Sequence, residues 1–145
     1  MRAVSLLLVS ALMVLGAGGV PPDGTLAPVT AAVDDAQTHV AALARHAATA
    51  SPATLALPTD DEQGAVSAIV NADTALDHVM HGPTAVLPRE TDLAVLTELD
   101  RAHDALGSYV QARLHANRNM MRASAADAVA ALARADAILG ADRPH

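Results

Sequence analysis

"TDDEQGAVSAIVNADTALDHVMHGP", Thr59 to Pro83, carries a start signal and a stop signal at its two ends. Thr59 with Glu62 three residues on is a capping box, in which each residue satisfies a backbone N–H of the other. Asp60 and Asp61 suit the positive end of a helix dipole. Gly82 accepts a left-handed cap, and Pro83 cannot continue a helix. Between these signals Ala65, Ile69, Ala72, Leu76 and Val79 recur at steps of three and four. That spacing predicts a helix over residues 60–81 with one apolar seam.

The same spacing extends in both directions. Val29, Val33, Ala36, Val40, Leu43, Ala47 and Ala50 predict a helix over 29–50, ended by the two prolines of "SPATLALP", residues 51–58. A third helix starts near Pro88, with Glu90 and Asp92 in its first turn, and reaches at least Ala116. Its apolar face is Val95, Leu96, Leu99, Ala102, Leu106, Val110 and Leu114, with Tyr109 at the edge. Gly107 within it costs about 1 kcal/mol against Ala. Ser124, three residues before Asp127, is read as the cap of a fourth helix with the seam Ala128, Val129, Leu132, Ala135 and Leu139, closed by Gly140. Four amphipathic helices with short connections predict an all-α, antiparallel up-down four-helix bundle over residues 29–140, followed by a tail, 141–145. Its seams are rich in Ala, which contributes much less on burial than the ~1.5–3 kcal/mol of a large aliphatic side chain. Modest stability or dimerisation is therefore expected.

The bundle is preceded by "MRAVSLLLVSALMVLGAGGV". One Arg, an apolar run from Val4 to Leu15 and the small residues Ala17 and Gly19 have the form of a signal peptide helix over residues 1–19, with cleavage before Val20. The apolar run is shorter than the roughly 20 residues a bilayer span needs. Residues 20–28 read as a flexible Pro/Gly leader, and no later stretch is apolar enough to span, so a soluble mature chain is expected in the periplasm, the cell envelope or the medium.

Composition narrows the function. The 145 residues carry a net charge of −7, which disfavours a nucleic-acid backbone as partner. One aromatic residue, Tyr109, leaves little with which to stack on bases. The absence of Cys excludes disulfides, thiolate metal sites and Cys nucleophiles. Acids dominate residues 20–81, where Arg45 is the one Arg; residues 82–145 hold eight acids and seven Arg. Arg113, Arg118 and Arg122 cluster where the third helix ends, a position at which cations complement a helix dipole. No Gly-x-Ser-x-Gly elbow, His-Glu-x-x-His motif or phosphate-binding loop is present, which points away from an enzyme.

Two histidine sets are candidates for a site. His103 is expected on the inward face of the third helix, where an unsatisfied polar group costs about 1–3 kcal/mol. If the helices pair tightly, it falls level with Leu43, between His39 and His46. Three imidazoles suffice for Zn with an open position, and two can hold haem b. The second set is Asp73, Asp77 and His81, at i, i+4 and i+8 on one flank; with the Met80 thioether it would favour Cu. The simpler reading of His78 and His81 is a helix end, where a partly charged imidazole is favourable. The expectation is an exported, non-enzymatic bundle that acts by protein interaction or self-association. The alternative is a Zn, Cu or haem carrier that uses His39, His46 and His103.

Overall fold

The structure, a computed structural model, describes residues 25–83 and 86–141, and among these it is all-helical, with four helices and no strand. They are α1 (Ala27–Thr49), α2 (Asp60–Met80), α3 (Arg89–Leu114) and α4 (Arg118–Ala141). The signal peptide expected over 1–19 and most of the tail lie outside the described residues. Each helix packs on two others: α1 on α2 and α4, and α3 on α2 and α4.

α1 begins two residues before the expected start, with Pro28 in its first turn, where a missing N–H costs nothing. Its buried stripe is Val29, Val33, Ala36, Val40, Leu43 and Ala47, as the spacing requires. α2 starts where its cap predicts, and the Thr59 N–H donates to Glu62 Oε2 at 3.4 Å. Its far end differs in detail. Gly82 is not left-handed; His81 closes the helix at φ −103°, its N–H bonded to Asp77 O at 3.0 Å. A Cβ on Gly82 would lie 3.1 Å from His78 O, so a close backbone approach is what favours glycine there.

Among the described residues the left-handed one is Ala116, at φ 50°. Its N–H bonds to Arg113 O and that of Asn117 to Ala112 O, each at 2.9 Å. This Schellman pattern ends α3 at Leu114. Asn117 then begins α4, its Oδ1 accepting the Met120 N–H at 3.1 Å. α4 thus starts six residues before the cap expected at Ser124, which is instead buried inside the helix. Gly107 lies in an unbroken α3, and Gly140 lies inside α4.

α3 is also turned relative to expectation. Its buried side holds Val95, Glu98, Leu99, Ala102, Ala105, Leu106, Tyr109, Ala112 and Arg113. Leu96 and Val110 are half-buried and Leu114 is 59% exposed. Tyr109 is buried completely, and its hydroxyl donates to Leu43 O at 3.3 Å. In α4, Met121, Ala125, Ala128, Leu132, Ala135 and Leu139 form the buried stripe, while Val129, expected in it, is exposed.

An L-residue in the left-handed region is strained where glycine is not. Ala116→Gly is expected to stabilise the protein by about 0.5–1 kcal/mol, net of the greater entropy glycine gives the unfolded chain. Thermal melts followed by circular dichroism should show a rise of a few degrees; a fall would contradict the assignment of Ala116 as the helix stop.

Candidate functional site

The three histidines expected to converge are not brought together. His39 lies on the α2 side of α1. Its Nδ1 is 2.9 Å from Asp61 Oδ1 and its Nε2 is 3.5 Å from Asp35 Oδ1. The ring rests on Gly64, where a Cβ would lie 2.5–2.8 Å from three ring atoms. Both ring nitrogens thus face carboxylates on opposite sides of the ring, and one ion cannot be shared between them. His46 is half-buried, and its Nε2 is shielded from solvent without a hydrogen-bond partner. His103, expected inside, is exposed. The rotation of α3 that seats Tyr109 turns His103 outward, and Tyr109, not His103, meets Leu43. The offset is six residues, about 9 Å along a helix.

Asp73, Asp77 and His81 are all exposed on α2. His81 Nδ1 is 3.1 Å from Asp77 Oδ1 and 3.0 Å from Asp77 O. The imidazole therefore meets the last-turn carbonyl of its own helix, the geometry of a helix end. No group of three or more His, Asp or Glu among the described residues is arranged to hold a metal ion.

Two ion-pair assemblies were not anticipated from the sequence. In the first, Glu62 Oε2 lies 2.7 Å from Arg113 Nε, with both side chains about nine-tenths buried. Arg113 Nη1 also donates to Ala56 O at 2.9 Å. Beside it, Arg118 donates to Ala47 O at 2.8 Å and to Ala50 O, covering the C-terminal carbonyls of α1. Arginine at a helix C-terminus was expected, but the helix served is α1 and not α3. Burial, with the Glu62 carboxylate near, pushes the Tyr109 phenol up to about 12, so it remains a donor to Leu43 O. Leu57, Leu114 and Met120, each within two residues of Ala56, Arg113 or Arg118 in sequence, are exposed.

In the second, the buried Glu98 uses both carboxylate oxygens. Oε1 accepts from Arg101 Nη1 at 2.7 Å, and Oε2 from Arg134 Nε at 2.9 Å. The spacing of Glu98 and Arg101 is a readable i, i+3 signal. Arg134 comes from α4 and has no such signature.

Asp92 is 5% exposed, and its Oδ1 has no hydrogen-bond partner. Burial raises its carboxyl above the usual Asp value, and the nearby Arg89 opposes the shift only in part. Set beside protein-family models, curated proteins and solved structures, the chain matches none of them.

Two outcomes follow from this geometry. Gly64→Ala should cost about 1 kcal/mol or more through overpacking on the His39 ring. In a His39→Ala background the same change should instead gain up to about 1 kcal/mol of helix propensity. Equal effects in urea titrations of the two backgrounds would show that the ring does not rest on Gly64. For Asp92, a raised carboxyl favours the neutral form in the folded state. Its stabilising contribution is present below the ordinary Asp value and is lost as pH rises through the raised one. Asp92→Asn should therefore be more stable than the wild type at pH 7, with the difference shrinking towards low pH; urea midpoints measured across the acidic range check this.

Proposed function

We propose that this chain is an exported, non-enzymatic helical-bundle protein of the cell envelope or extracellular space, acting by protein contact, with self-association as the form of that contact. In this reading residues 1–19 are a signal peptide cut before Val20, and α1 to α4 run antiparallel, up and down. The exchange of ion pairs between the start of α2 and the end of α3 (Glu62–Arg113) supports that order, as does the pairing of Glu98 early in α3 with Arg134 late in α4. Among the described residues no helix is long and apolar enough to cross a membrane.

The observation that carries the contact reading is the end of the bundle where Arg113 and Arg118 bind the α1–α2 connection. There Leu57, Leu114 and Met120 are 56%, 59% and 55% exposed. They come from three different segments, each within two residues of Ala56, Arg113 or Arg118, and large exposed apolar side chains are what an interaction surface would use. The core supplies a reason for covering them. Twelve of the 28 buried apolar residues among those described are Ala, which hides less area than Val or Leu, so contact with a second copy would add apolar burial that the core lacks.

Sedimentation equilibrium on the exported protein should reveal a concentration-dependent dimer. Leu114→Glu combined with Met120→Glu should weaken it by roughly tenfold or more, about 1.4 kcal/mol. A single monomeric species at several hundred micromolar would overturn self-association, and a cell-retained protein with Met1 in place would overturn export.

A further inference from the structure

The Glu98 assembly holds more cationic donors than its own ion pairs consume. A guanidinium offers five N–H groups in a planar fork. Arg101 and Arg134 each give Glu98 one nitrogen, at 2.7 and 2.9 Å. Glu98 is buried, so it anchors both arginines from beneath, while their side chains remain 59% and 51% exposed. They open onto a shallow depression of about 390 Å³ between α3 and α4.

The same depression is lined by Asp104, Ser108 and Asp127, with Ala105 and Ala130 adding no bulk. Asp104 and Asp127 are exposed, and neither takes part in an ion pair among the described residues. Two cations and two anions thus share one hollow without neutralising each other directly.

We propose that this depression binds a small zwitterion carrying a carboxylate and an ammonium group, of the class of amino acids and short peptides. The ligand's carboxylate lies on the outward N–H groups of Arg101 and Arg134, which suit it as planar forks. Its ammonium lies towards Asp104 and Asp127, and Ser108 supplies a hydroxyl able to donate or accept. Charge selects this class over simpler ones. Inorganic phosphate on the arginines meets the repulsion of Glu98, Asp104 and Asp127, three carboxylates against two guanidinium groups. A plain amine is drawn to the acids but leaves the outward N–H groups of Arg101 and Arg134 without an acceptor. A ligand that bears both charges finds a complement at each end.

Calorimetric titration of the purified protein with glycine, diglycine and triglycine tests the proposal, with acetate, methylamine and inorganic phosphate as single-charge comparisons. The result expected is saturable binding of at least one of the three zwitterions at about millimolar concentration or below, with the comparisons about tenfold weaker or more. Arg134→Gln and Asp127→Asn should each weaken that binding about tenfold. Asp127 holds no ion pair, so Asp127→Asn should keep the wild-type melting temperature and isolates the ligand contact from the fold. Absence of saturable heat for all three up to about 10 mM would overturn the proposal. So would phosphate binding as tightly as the best zwitterion, or an unchanged affinity in Asp127→Asn.

Discussion

Tyr109 is the bulkiest side chain in a core made mostly of Ala, Val and Leu, and burying it leaves a hydroxyl that needs an acceptor. An unsatisfied buried hydroxyl costs about 1–3 kcal/mol, comparable to what a whole Leu contributes here. Leu43 O, on α1, meets the need. With the ring inside, α3 has one rotation available. Glu98, Ala105, Ala112 and Arg113 come in with it, Val110 and Leu96 move to the flank, and His103 goes out to solvent. Much of the polar architecture follows from that turn.

Glu98 and Arg113, brought in by the turn, are costly to desolvate, and each has an oppositely charged side chain against it. Glu62 and Arg113 join α2 to α3, and Glu98 joins α3 to α4 through Arg134. Where Ala faces Ala, neighbouring registers differ little in apolar contact. A buried ion pair between helices penalises a slip in a way that Ala against Ala does not. Arg118 acts similarly by tying the first turn of α4 to the end of α1.

The helices were legible because repeated apolar spacing and caps are local. Val29 to Ala47 on α1 and Ala65 to Val79 on α2 occupy the expected sides, and α2 begins at the expected cap. The break between α3 and α4 was misplaced because Ala116 carries no mark of a left-handed residue, and Ser124 offered a plausible cap with Asp127 behind it. Asn117, a good cap residue, was the available signal. Of the candidate sites, the helix-end role of His81 was readable from its own turn, whereas the fate of His39 depended on Asp61 and Gly64 of another helix. The depression between α3 and α4 was invisible for the same reason: Arg134 and Glu98 are 36 residues apart.

The sequence by itself determined an all-helical chain, the approximate course of each helix and an apolar stripe on each, because these depend on residues within one or two turns of each other. Only the tertiary structure decided how far α3 rotates, which histidines face water, and which arginines meet which carboxylates. Those outcomes turn on the fit of one large ring among small neighbours and on the need of each buried charge for a partner. Both are relations between helices, which the spacing within a single helix does not encode.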